Sequence, residues 1–213
     1  SVLASRDGRI WLGFAFQGVQ ILDPANHASQ ILAADPARPL QALPASQIMV
    51  AREADSGDIL LGTGHGVYRV HQSAAAQTSR TGRSAQPWQI GRIDLAPRDN
   101  VERTTSLLIA HDRLWVGSNR DSLWQLPLAA DMPTGSDDKL RASRPALLPQ
   151  LADQRITSLE NADNGNLWVG TQNGLHWVDP QQQRVIRIPV GTATAPGISS
   201  ANIVSTLTDR QGR

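Results

Sequence analysis

At 213 residues the chain is long enough to bury a core, and its formal net charge of +1 gives no electrostatic pull toward nucleic acid or an anionic membrane. It has no cysteine, which excludes a disulfide framework, a thiolate zinc site and a cysteine nucleophile. No run approaches the ~20 apolar residues of a membrane helix, and no basic start leading into an apolar stretch marks a signal peptide, so any targeting segment is expected to have been removed or to lie outside this sequence.

The first apolar run is Ile10-Trp11-Leu12-Gly13, preceded by the polar turn Ser5-Arg6-Asp7-Gly8-Arg9 and followed by Val19-Gln20-Ile21-Leu22-Asp23-Pro24. The same arrangement returns at Ile59-Leu60-Leu61-Gly62 with Val67-Tyr68-Arg69-Val70. It returns again at Leu114-Trp115-Val116-Gly117 with Leu123-Trp124-Gln125-Leu126-Pro127, and at Leu167-Trp168-Val169-Gly170 with Leu175-His176-Trp177-Val178-Asp179-Pro180. The glycines recur at intervals of roughly 50 residues. Short runs rich in Trp, Val, Ile and Leu, bounded by Gly, Asn, Asp and Pro, read as strands, and the first run of each pair is apolar on both faces, as suits a strand between neighbouring sheets. A third apolar stretch precedes each polar turn, as in Ile156–Leu159 and Ile203–Leu207, and a fourth follows, as in Arg184–Val190. Four strands per repeat predict an all-β fold, a β-propeller of four four-stranded blades plus the first strand of another. The repeats run approximately over 1–47, 48–104, 105–157 and 158–204, with a partial one at 205–213, in a single propeller domain or propeller segment. The stretches His71–Pro87 and Ala129–Ser143, the latter with Pro133, Gly135, Asp137 and Asp138, read as long surface hairpins.

Ser205 to Arg213 aligns with Ser1 to Arg9, so the sequence ends where a fifth copy would continue. A segment of a longer propeller is the favoured reading. A small four-bladed ring closed by the last strand is the alternative, and two such chains could also complete one ring, which makes a homodimer a candidate assembly.

The string Asn164-Gly165-Asn166-Leu167-Trp168-Val169-Gly170-Thr171-Gln172-Asn173-Gly174-Leu175 resembles the repeat of two-component regulator propellers. The first copy has Phe14 in place of the threonine, the third has Ser118 there and Ser122 for the second glycine, and the second replaces the tryptophan with Leu60. That family forms periplasmic sensor regions of hybrid histidine kinases and some diguanylate cyclases. The resemblance therefore implies a periplasmic or extracellular chain that reaches a membrane only through segments absent from it.

Trp11, Trp115 and Trp168 are expected to pack between blades, and the repeated glycines to allow turns and close backbone approach. Ligand-binding candidates are sought where the repeats differ, in the loops between second and third strands and in those joining successive blades. They are Phe16, Gln17, His65, Arg103, Asn119, Arg120, Arg155, Gln172, Asn173 and Asn202. Amide and guanidinium groups suit hydroxyl- or carboxylate-bearing ligands such as oligosaccharides or peptides, and Phe16 offers a stacking face. None of His27, His65, His71, His111 and His176 lies at a metal-binding spacing, and His176 reads as packed or edge-exposed beside Trp177. Asp7, Asp163 and Asp209 read as turn formers at the opposite ends of the blades. No catalytic residue, metal or cofactor is expected. The expected function is a non-catalytic ligand-sensing propeller, with a small-molecule or oligosaccharide ligand. The alternatives are a propeller enzyme of lyase or lactonase type, for which the available acids would be Asp99, Glu102, Asp121 and Asp153, and a protein-interaction scaffold.

Overall fold

The computed structural model describes residues 1–35, 37, 42–72, 88–93, 103–120, 123–128, 151 and 154–209. Both predicted hairpin stretches fall outside them, apart from His71 and Gln72. The described residues form four antiparallel sheets. The first is β1 (Val2–Ala4), β2 (Ile10–Gly13), β3 (Val19–Asp23) and β4 (Ala28–Leu32), paired in that order. The second is β5 (Ile48–Glu53), β6 (Ile59–Thr63), β7 (Gly66–Gln72) and β8 (Trp88–Ile93). The third is β9 (Thr104–Ala110), β10 (Arg113–Ser118) and β11 (Leu123–Pro127), and the fourth is β12 (Ile156–Asn161), β13 (Leu167–Thr171), β14 (Gly174–Asp179) and β15 (Arg184–Arg187).

These sheets are the blades expected of a β-propeller, with two departures. The third blade has three strands among the described residues. The expected strand at Ile203–Leu207 takes no regular pairing, although Ile203 N donates to Thr171 O at 3.0 Å. No helix among the described residues is long and apolar enough to cross a membrane. The described residues divide into two compact units, one carrying β1–β8 and the other β9–β15.

In the first unit, Trp11, Val19 and Ile21 pack with Ile48, Ile59, Leu61 and Tyr68 in one buried cluster that spans both sheets. The two-faced apolar pattern is fulfilled best by β6, which is buried along its whole length, and least by β2, where Trp11 alone is fully buried. In the second unit Leu108, Trp115, Ile156, Leu159, Val169 and Val178 form the matching cluster.

The polar turns before β2, β6 and β13 share one geometry. Ser5 N, Ala54 N and Ala162 N each donate to the carbonyl four residues on, at 2.9 Å. Gly8, Gly57 and Gly165 sit at φ near +85, +84 and +82, a conformation open to glycine at little cost. The third blade replaces this turn with His111-Asp112, both at positive φ (52° and 55°), the two-residue hairpin geometry that matches strand twist.

The repeated Trp-x-Gly glycine has a different cause. A β-carbon on Gly13 would sit 2.7 Å from Ile48, one on Gly117 2.5 Å from Ile156, and one on Gly170 2.7 Å from Ile203. In each case an isoleucine from the segment beyond the blade's last strand lies directly over the glycine. Gly117→Ala should therefore overpack this contact and lower stability by about 1–3 kcal/mol in urea unfolding. Unchanged stability would mean that the strands can separate without loss.

Candidate functional site

At one end of the sheets, the loop between the second and third strands of a blade is hydrogen-bonded to the segment leading into the same blade or into the next. In the first unit Phe16 N donates to Ser46 O at 3.4 Å, Ile48 N to Phe14 O at 3.2 Å, and Gly64 N to Gln47 O at 3.1 Å. In the second unit Asn119 N donates to Arg103 O at 3.2 Å and Gln172 N to Arg155 O at 3.4 Å. The Asn173 side-chain amide also donates to Gln154 Oε1 at 2.9 Å. The structure thus brings Asn119 to Arg103, and Gln172 and Asn173 to the Gln154-Arg155 segment. Thr105 Oγ1 donates to Ile156 O at 2.6 Å, which sets the start of β12 beside the third blade. Asn202 lies in the segment after β15, exposed, its N–H on Ser200 Oγ at 3.1 Å.

The threonine of the repeat organises these loops. Thr63 Oγ1 donates to Gly66 O at 3.0 Å and accepts from His65 N at 3.0 Å. Thr171 Oγ1 does the same with Gly174 O at 2.9 Å and Asn173 N at 3.0 Å. A buried hydroxyl thereby fixes a short turn whose variable tip, His65 or Asn173, is exposed. In the first blade, where Phe14 replaces threonine, Phe14 N donates to Gly18 O at 3.0 Å and the tip residues Phe16 and Gln17 stand in solvent, Phe16 70% exposed. Phe16 and Arg103 both adopt positive φ, 67° and 58°, a conformation that bulky side chains rarely hold. Arg103, Arg120 and Arg155 are exposed and Asn119 is half-buried.

Two arginines absent from the sequence-based set reach this end from the fourth strands. Arg187, opposite His176 in the β14–β15 register, donates from Nη2 to Asn173 O at 2.5 Å. Arg92, opposite Tyr68 in the β7–β8 register, brings its Nε to 3.6 Å of a β-carbon placed on Gly66. Their equivalence rests on register, which the sequence does not display. His176 is 5% exposed, the packed alternative of its two readings. Burial and then the neighbouring Arg187 charge push its pKa down, against backbone hydrogen bonds that push it up. Burial pushes the Tyr68 hydroxyl up, with Arg92 opposing.

At the opposite ends of the blades, Asp7 serves as a turn former: it accepts from Ser5 Oγ at 2.6 Å and Arg9 N at 3.1 Å. Burial raises its pKa, but these bonds and the Arg9 charge outweigh that and hold the carboxyl below the ordinary 3.8. Among the described residues no cluster of three or more His, Asp or Glu side chains could hold a metal ion. Asp99, Glu102, Asp121 and Asp153 lie outside the described residues.

Residues 150–173 match the two component regulator propeller family. No curated protein matches the chain in sequence. Among solved structures, the chain is similar to BT4673 from B. thetaiotaomicron, described as the extracellular domain of a one component or hybrid two component system. The identity is 18%, with 96% of this chain and 24% of that one covered and TM-scores of 0.70 and 0.69. It is also similar to PorZ, a surface component of the type-IX secretion system of Porphyromonas gingivalis, at 16% identity, 98% and 29% coverage and a TM-score of 0.72. A third similar structure is virginiamycin B lyase from Staphylococcus aureus, at 12% identity, 90% and 55% coverage and a TM-score of 0.58. The chain spans about a quarter of the BT4673 domain, and at these identities the likeness speaks for the fold. The chain is thus a run of β-propeller blades, of which residues 150–173 match the two component regulator propeller repeat.

Proposed function

We propose that the chain is part of a non-catalytic, extracytoplasmic sensor region, and that the loop ends of its blades bind a small polar ligand such as an oligosaccharide. The observation that carries this reading is the contrast within each loop. A buried threonine or backbone bonds fix the frame, while the tips, exposed apart from the half-buried Asn119, differ from blade to blade: Phe16 and Gln17, His65, Asn119 and Arg120, Gln172 and Asn173. Fixed frames with variable amide, imidazole and guanidinium tips suit recognition of hydroxyl groups, since these tips carry donors and acceptors and the backbone frame needs no ordering on binding. The likeness to an extracellular domain of a signalling system agrees with a sensor role. Ligand would act by its differential affinity for two arrangements of the larger receptor.

The test is calorimetric titration of the chain with defined oligosaccharides. Asn173→Ala and Arg155→Ala should each weaken binding about tenfold, the loss of roughly one charged or well-placed hydrogen bond, with melting temperature unchanged. Binding insensitive to both changes would remove the loop end as the site. Metal-dependent turnover of a sugar or ester would replace the sensor reading with an enzyme.

A further inference from the structure

A pocket of about 310 Å³ opens in the first unit between the first and second blades. It lies at the end of the sheets opposite the loops described above. Arg9 precedes β2, Asp23 closes β3, Ser29 and Gln30 lie early in β4, Gln72 closes β7 and Trp88 opens β8. In antiparallel sheets those positions share one end, away from the β2–β3 and β6–β7 turns. The size falls at the lower end of the range usual for small-molecule sites.

The pocket wall is held by contacts across the two blades. The Trp88 indole Nε1 donates to Gln30 Oε1 at 3.0 Å, and Arg9 Nη1 donates to Gln72 Oε1 at 3.4 Å. The Arg9 guanidinium carbon stands 5.3 Å from the Trp88 ring centroid, and Trp11 meets Trp88 edge-on at 5.1 Å. These bonds use the amide oxygen of both glutamines, which fixes their orientation and leaves the –NH2 end of each as the donor for anything bound.

Each charge in the lining already has partners. Arg9 pairs with Asp7 at 3.0 Å, and the Asp23 carboxylate takes Ala25 N at 3.0 Å and the Asn26 amide at 2.9 Å. An anion placed here meets Asp23 and a cation meets Arg9, so neither sign is favoured. Amide donors, the exposed Ser29 hydroxyl, a carboxylate acceptor and the apolar surface of Trp88 and Ile21 together match a compact neutral ring that carries hydroxyls on one side and C–H groups on the other.

We propose that this inter-blade pocket binds a neutral monosaccharide-sized polyol. The site is separate from the loop ends and stands or falls independently of the function proposed for them. The experiment is a titration of the 213-residue chain with glucose, galactose, mannose, xylose and glucuronate, followed by the indole N–H resonances of its six tryptophans in 1H–15N spectra. Trp88→Phe assigns the Trp88 resonance. At least one neutral sugar should shift the Trp88 indole signal in a saturable way. Ser29→Trp, an exposed β4 change that fills the pocket, should weaken that sugar at least about tenfold with melting temperature unchanged, and Asn173→Ala should not. Absence of a saturable Trp88 shift with every neutral sugar, a response to glucuronate alone, or a Kd unaltered by Ser29→Trp would each overturn the proposal.

Discussion

Replacing Asp58 with alanine should cost about 3–5 kcal/mol, read as a lowered urea midpoint at unchanged slope. Asp58 is 3% exposed and gathers a buried network in the second blade. Its Oδ2 takes Arg69 Nε at 2.8 Å, Arg69 Nη2 at 2.5 Å and Ser56 Oγ at 2.7 Å, and its Oδ1 lies 2.5 Å from His71 Nδ1. Arg69 is itself 5% exposed, and its Nη1 has no hydrogen-bond partner, so removing the carboxylate strands a buried cation. The cost comes from that stranded charge, not from any large net gain in forming the pair. The double change Asp58→Leu with Arg69→Met should therefore recover most of the loss, because well-packed apolar side chains replace a buried ion pair at little cost. His71 is 40% exposed on its side chain, and His71→Ala should cost only about 1 kcal/mol. If the double change is as damaging as the single one, the network acts by direct attraction and this account is wrong.

The same network sets an acid limit. Burial pushes the Asp58 carboxyl up, but the hydrogen bonds from His71, Ser56 and Arg69 and the Arg69 charge outweigh it, leaving the folded pKa below the ordinary 3.8. A depressed carboxylate contributes stability that is complete above the unfolded pKa and lost as pH falls through the folded one. The Asp58 contribution should thus hold down to about pH 4 and fail below it. His176, whose buried ring has its pKa lowered from 6.5, also resists protonation in the folded state. Its contribution is complete above pH 6.5 and is lost as pH falls from there through the folded value, so this blade-four loss begins at a higher pH than the Asp58 loss.

The repeat was readable because its cause is local. Alternating strand and turn chemistry, the Trp-x-Gly core and the polar turns with glycine at positive φ each leave a mark within a few residues, and four copies in phase reinforce one another. The features that needed coordinates come from partners set by register. Asp58 and Arg69 are 11 residues apart and meet only because β6 and β7 pair as they do. Arg92 and Arg187 reach the loop end through cross-strand positions on the fourth strands, which the sequence does not align with the second and third. The inter-blade pocket joins side chains from two blades at positions that the repeat leaves variable, so no repeated motif marks it. The loop candidates follow from repeat phase alone, which assigns them to the loops between second and third strands and to those joining successive blades. The positive φ of Phe16 and Arg103 had no signal, since neither residue is one that favours that conformation.

Identical motif residues should differ in their energetic weight, and Trp115 and Trp168 show why. Both occupy the second place of Leu-Trp-Val-Gly, and both were expected to pack between blades. Trp115 is 3% exposed and belongs to a cluster with Leu108, Ile156 and Leu159, so the fourth blade covers the ring. Trp168 is only partly buried in β13, and no further sheet follows to cover it among the described residues. Here the sequence-based expectation holds in kind for Trp115 and is incomplete for Trp168. Trp115→Ala removes a large buried ring and leaves a cavity, which should cost about 3–5 kcal/mol. Trp168→Ala removes a ring still partly in contact with water, and should cost about 1–2 kcal/mol in the same urea experiment. Equal costs would show that Trp168 is covered in solution as fully as Trp115, for instance by a second copy of the chain. Sedimentation at the same concentration would then show an assembly larger than one chain, and Trp168→Ala would dissociate it.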